Sequence, residues 1–130
     1  MKEENQYQIT LSESQMMLIA RTLEDVSRFA SGQMEMQNTI QEIVSVEWKD
    51  NHDKQIDVRD TAEWRLNKLK SLLFSKGGYG GYNKTPFVGN LYQIYKWMYK
   101  AFNDAHNINN VDSPEPLPSG NLGTIKIEKV

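Results

Sequence analysis

SESQMMLIARTLEDVSRFASG, residues 12–32, announces a helix together with its start. Ser12 is a residue type whose side-chain oxygen caps helix amides, and Gln15 stands three positions on, the spacing of a reciprocal capping box. Leu11 and Met16 are spaced as a hydrophobic staple across the same turn. Met16, Ile19, Ala20, Leu23, Val26, Phe29 and Ala30 then recur at helical intervals, so one face is apolar. Gly32 either interrupts this helix or lets a neighbour approach closely. Residues 33–48 resume the periodicity through Met36, Ile40, Ile43 and Val44, which fits one long kinked helix or two in succession.

Working outward, KDNHDKQ, residues 49–55, reads as a polar connector. Asp57 and Asp60 are candidate caps for the helix that follows, and Asp60 with Glu63 has the capping-box spacing. That helix is expected to run to about Ser75 on a stripe of Ala62, Leu66, Leu69 and Leu73, widened by Trp64 and Leu72. A glycine cluster breaks it. Thr85-Pro86 restarts the chain, since Thr caps and Pro fits the first helical position. Phe87, Leu91, Ile94, Tyr95, Met98 and Phe102 share a broad face of the last helix. At the ends, YQITL (residues 7–11) and TIKIEKV (residues 124–130) alternate as strands do. The expected fold is mainly α, a helical bundle with a small β element formed by the two terminal strands. Residues 1–106 form the helical domain, and residues 107–130 are an extended linker and a terminal strand packing on it.

The chain has 130 residues and no cysteine, which excludes disulfides and thiolate metal sites. No segment has the make-up of a signal peptide or membrane span, so a cytoplasmic protein is expected, without membrane contact. The net charge of −2 conceals an asymmetry. Residues 1–63 carry 13 acids and six bases, whereas residues 64–103 carry seven bases and no acid. Such a division either steers an anionic ligand or acidic partner, or neutralises itself within one protomer or between copies.

The candidate ligand site is SKGGYGGYNKTP, residues 75–86. A phosphate loop of the nucleotide-hydrolase type needs a second glycine where Asn83 stands, and a strand before it where a helix is expected. A simpler anion site survives that objection: Lys84, Thr85 and the first free amides of the last helix converge at a positive helix end. Tyr79 and Tyr82 are placed to stack on a base or to pack the loop. Arg65 and Lys68, on the preceding helix, add phosphate contacts. The plain alternative is a structural turn, because glycines are required wherever backbone angles are closed to other residues.

Other groupings carry less. His52 and His106 lack the paired spacing of a zinc site, and Asp50, His52 and Asp53 read as a solvated loop, so neither metal nor cofactor is expected. Glu24 and Arg28 have the favourable order for a surface pair, and Arg28 with Gln33 forms a polar patch around Gly32. Glu35 and Glu42 lack the histidines of a di-iron bundle. Ser12, Ser27 and Ser31 have no visible catalytic partners. Tyr92 and Tyr99, seven apart, extend the aromatic face of the last helix into an intersubunit contact or a pocket. Nucleic-acid binding ranks lower, since the charge is spread over two helices of an acidic chain and no helix-turn-helix pattern is present.

ITLSESQMMLIARTLEDVSRFASGQ, residues 9–33, resembles the opening of a group of small phage and prophage proteins of poorly defined function, in Thr10-Leu11-Ser12-Glu13, Ser27-Arg28 and Gly32-Gln33. GGYGGY followed by LYQIYKWMYKAF is similar to their glycine-tyrosine loop and last helix. Ala30-Ser31 and the acidic C-terminal linker depart from that pattern. The resemblance implies a phage accessory protein in a bacterial host, acting by occupancy. The expectation carried forward is a non-enzymatic homo-oligomer sequestering an anionic, nucleotide-like small molecule through Arg65, Lys68, Tyr79, Tyr82, Lys84 and Thr85, with Arg28, Gln33, Tyr92 and Tyr99 at interfaces. Inhibition of a host protein is the alternative, followed by a nucleic-acid-binding or structural role.

Overall fold

The computed structural model describes residues 4–74, 86–108 and 127–130. Four helices follow in order: α1 (Glu13–Ala30), α2 (Gln37–Glu47), α3 (His52–Leu73) and α4 (Pro86–Ala105). Local chemistry fixes the ends of α1. The Ser12 side chain accepts from the Gln15 amide at 3.2 Å, and the Gln15 side chain accepts from the Ser12 amide at 2.9 Å, closing the capping box. At the other end Gly32 takes φ 82°, the Gln33 amide donates to the Arg28 carbonyl at 2.8 Å and the Gly32 amide to the Phe29 carbonyl at 3.0 Å. This is the Schellman stop, in which a left-handed glycine satisfies two orphan carbonyls. Hence Gly32 ends α1, and residues 13–47 form two helices.

The main core lies between α1 and α4. Ala20, fully buried, meets Tyr95 and Met98, with Met16, Leu23, Tyr92, Ile94, Tyr99 and Ile127 packed around them. A side chain as small as that of Ala20 admits the Tyr95 ring without a void. Contacts at both ends make the pair antiparallel: the His106 ring nitrogen lies 2.8 Å from Glu13 Oε2, and the Ser27 hydroxyl donates to the Val88 carbonyl at 3.5 Å.

The second pair, α2 and α3, is joined to α1 by polar contacts. Met36, the N-cap of α2, sits in the left-handed region at φ 50° and gives no side-chain cap. Asp25 of α1 supplies one instead. Its buried carboxylate accepts from the amides of Asn38 (3.2 Å) and Thr39 (2.6 Å) and from the Thr39 hydroxyl (2.7 Å). Asn38 and Thr39 are the second and third helical residues, whose amides have no intrahelical acceptor. α3 runs beside α2 and keeps its backbone clear of α1 and α4.

Three expectations need correction. The described parts of the two terminal segments form no strand: residues 7–11 are irregular, with Tyr7 84% and Ile9 74% exposed, residues 127–130 are irregular too, and residues 124–126 lie outside the described residues. A five-residue alternating segment gains nothing by extending unless a neighbouring edge buries one face, and no strand occurs among the described residues. The fold is a mainly α bundle of four helices, without a β element in the described residues. α3 begins at His52 rather than near Asp57, because Asn51 caps it by accepting from the Lys54 amide at 3.0 Å. Lastly, only part of the expected apolar stripe of α3 packs: Ala62 and Leu66 are half-buried, but Leu69, Leu72 and Leu73 are exposed, while Lys70 is 1% exposed.

Candidate functional site

On the α1–α4 seam a polar cluster is built into the aromatic face. Glu24 and Arg28 pair one turn apart at 3.2 Å, and the Tyr99 hydroxyl donates to the other Glu24 oxygen at 3.1 Å. Tyr92, Tyr95 and Tyr99 meet edge to face, with centroids 5.5 and 5.9 Å apart. The second guanidinium nitrogen of Arg28 lies 2.9 Å from the Met34 sulfur. Burial above all, and then the Glu24 carboxylate, pushes the Tyr95 hydroxyl up to about 12, although Arg28 pulls the other way. Burial and Glu24 raise Tyr99 as well. Both tyrosines keep their protons above the usual range, and Arg28, paired with Glu24, is partly exposed beside them, as is Lys96, 5.6 Å from the centre of the Tyr92 ring.

Where α3 meets the α1–α2 turn, Lys70 pairs with Glu35, and the Asn67 amide donates to the same Glu35 oxygen at 3.3 Å. The Lys70 ammonium also lies 5.8 Å from the centre of the Phe29 ring. This pair fastens α3 to the α1–α2 turn by charge, in addition to the packing of that helix beside α2. It turns the opposite side of the helix outward, where Trp64 (60% exposed) and Leu72 (84% exposed) stand beside Arg65 and Lys68. The Lys68 ammonium sits 5.3 Å over the Trp64 ring. The face is at once basic, aromatic and aliphatic.

Of the expected ligand residues, Arg65 and Lys68 share this exposed face of α3. Tyr79, Tyr82, Lys84 and Thr85, and the glycine loop that carries them, lie outside the described residues. Of the expected interface residues, Arg28, Tyr92 and Tyr99 converge on the α1–α4 seam, and Gln33 is exposed just beyond the end of α1. An open depression of about 460 Å³ lined by Val46–Asn51 contains none of these residues.

Sequence reasoning missed Asp25, Lys70 and Gln93. Asp25, beside Glu24 in the sequence and one turn before Arg28, reads as solvated surface, yet it is buried. Lys70 carried a usable signal: it stands four residues after Leu66 and eight after Ala62, on the ridge that packs. Gln93, 2% exposed, has a side-chain amide nitrogen with no hydrogen-bond partner among the described residues. An orphan buried donor of this kind costs roughly 1–3 kcal/mol. Among the described residues no group of His, Cys, Asp and Glu could hold a metal ion, and no helix is long and apolar enough to cross a membrane. No protein-family model, curated protein or solved structure matches the chain.

Proposed function

We propose that this chain is a non-enzymatic, homo-oligomeric phage accessory protein of the bacterial cytoplasm that acts by occupancy, holding an anionic, nucleotide-like small molecule. The observation that supports it is the outer face of α3, where Arg65 and Lys68 are interleaved with exposed Trp64 and Leu72. A helix that presents apolar and basic side chains together suits association, because burial of Trp and Leu supplies affinity while the cations select an anionic or acidic counterpart. Arg65, Lys68 and Lys84 are the phosphate contacts in this reading, and Tyr79 and Tyr82 are the rings that stack on a base. The phage assignment rests on the resemblance in residues 9–33 and in the glycine-tyrosine segment.

Native mass spectrometry of the gently purified chain, before and after exposure to a nucleotide extract, tests it. A defined oligomer gaining a stoichiometric mass increment, weakened by Arg65→Ala or Lys84→Ala and without product formation, supports sequestration. An oligomer that captures nothing turns the reading to its alternative, inhibition of a host protein, which the same basic and apolar face would serve against an acidic surface.

A further inference from the structure

We infer that α3 pairs antiparallel with α3 of a second copy of this chain, about a two-fold axis at the middle of the helix, with Asp57 of each copy facing Lys68 of the other. The inference rests on the oligomeric reading above and names the surface that would carry it.

Lys54, Asp57, Thr61, Trp64, Lys68 and Leu72 follow one another at three- and four-residue intervals, the spacing of one ridge along a helix, and all six are exposed. The opposite side of α3 is already committed to α2 and, through Lys70, to Glu35. The helix has 22 residues and is about 33 Å long at the ordinary helical rise. Laid against a reversed copy in full overlap, each residue meets the one equally far from the other end. Asp57 and Lys68 both lie five places in from their ends, and Thr61 and Trp64 both lie nine places in. Lys54 falls within one residue of the position opposite Leu72.

The ridge is therefore complementary to its own reversal. Each acid meets a base, the Trp64 ring meets the small Thr61 on either side of the axis, and the aliphatic stem of Lys54 can cover Leu72. A two-fold interface makes each contact twice. The parallel arrangement is disfavoured by the same residues, because it sets Asp57 against Asp57 and Lys68 against Lys68. Pairing removes Trp64 and Leu72 from water. It assigns Lys68 to the protein contact and leaves Arg65 at the rim, where a ligand phosphate can still reach it.

Charge reversal tests the pairing in the full chain. Asp57→Lys and Lys68→Asp each convert two attractive contacts into repulsive ones. Each should raise the dimer dissociation constant about ten-fold in sedimentation equilibrium, since exposed pairs contribute modestly and the two changes of sign add. An equimolar mixture of the two variants should associate as tightly as the unaltered protein, because every contact in the mixed dimer then joins opposite charges. The doubly reversed chain should recover in the same way. Far-ultraviolet circular dichroism should be unchanged throughout, as both positions are exposed. Single variants that associate like the unaltered chain, or weakened variants whose mixture stays dissociated, overturn the pairing and leave the oligomeric reading standing. An unaltered chain that is monomeric over the whole concentration range overturns both.

Discussion

Replacing Asp25 by alanine should unfold the junction between α1 and α2 at a cost far above that of a surface substitution. The carboxylate is 4% exposed and accepts from two backbone amides and one hydroxyl. Loss of an ordinary helix cap costs about 1 kcal/mol. A hydrogen bond to a charged group contributes about 1.5–3 kcal/mol, and the three here are not additive. Alanine also leaves the Asn38 and Thr39 amides facing a cavity, at the end of a helix whose own N-cap, Met36, offers no side-chain bond. The expected loss is about 3 kcal/mol, which for a chain of this size lowers the melting temperature by roughly 10 °C. Asp25→Asn keeps an acceptor oxygen but turns an amide group toward Thr39, so it should fall between alanine and the unaltered chain. Thermal and urea unfolding followed at 222 nm, at fixed protein concentration, measures all three. Glu42→Ala, on the exposed side of α2, is the control and should stay within about 0.5 kcal/mol. An Asp25→Ala chain as stable as that control would refute the assignment of Asp25 as the cap of α2.

Other perturbations separate the remaining contacts. Lys70→Ala strands Glu35 beside Phe29 and should cost about 3–5 kcal/mol in urea unfolding, whereas Lys70→Met combined with Glu35→Leu should recover most of it; an additive double variant would contradict the pair. Gly32→Ala should cost about 1 kcal/mol by the same assay, since φ 82° is closed to a Cβ. Gln93→Leu should be neutral or stabilising in thermal unfolding, because it deletes an unpartnered donor, and a marked loss would mean that the amide is satisfied. Tyr95 and Tyr99 hold their protons above the usual tyrosine range. Between the unfolded value of about 10 and the raised folded ones the native state binds more protons, so stability is full below pH 10 and falls as pH rises through 12. Absorbance at 295 nm should show two tyrosines keeping their protons above the usual range in the native chain, and their ionisation within that range would contradict the buried seam.

What was legible in the sequence was what the chain settles within a few residues. The Ser12 and Gln15 capping box, the glycine stop at residue 32 and the Pro86 start of α4 depend on neighbours three to five positions away, and the periodicity of α1 and α4 reports their shared core. Asp25 could not be read this way, because the helix it caps begins twelve residues later and is brought to it only by tertiary folding. The terminal strands failed for the converse reason: alternation at Tyr7, Ile9 and Leu11 specifies a face, and a face becomes a strand only when an edge is present to receive it. Two of the six expected ligand residues, Arg65 and Lys68, are placed on one exposed surface, and the other four, Tyr79, Tyr82, Lys84 and Thr85, lie outside the described residues.

α3 is where sequence pattern and packing part company, and the reason is physical. Ala62, Leu66 and Lys70 lie on one ridge, and Trp64, Lys68 and Leu72 on another. Counted by hydrophobicity alone, the face of Ala62, Leu66, Leu69 and Leu73 has the best claim to the interior, yet Leu69 and Leu73 are exposed. Glu35 shifts the packed side toward Lys70 and away from the apolar ridge of Trp64 and Leu72, because its carboxylate in the turn before α2 draws the ammonium inward with Asn67 beside it. A buried ion pair is poor at adding stability, yet breaking one is costly, so it acts mainly to fix which side of a helix faces in. The apolar ridge is left facing out as a consequence of that fixed orientation. In the proposed antiparallel pair that outward ridge meets its own reversal, and its charges set the direction in which the second copy must run.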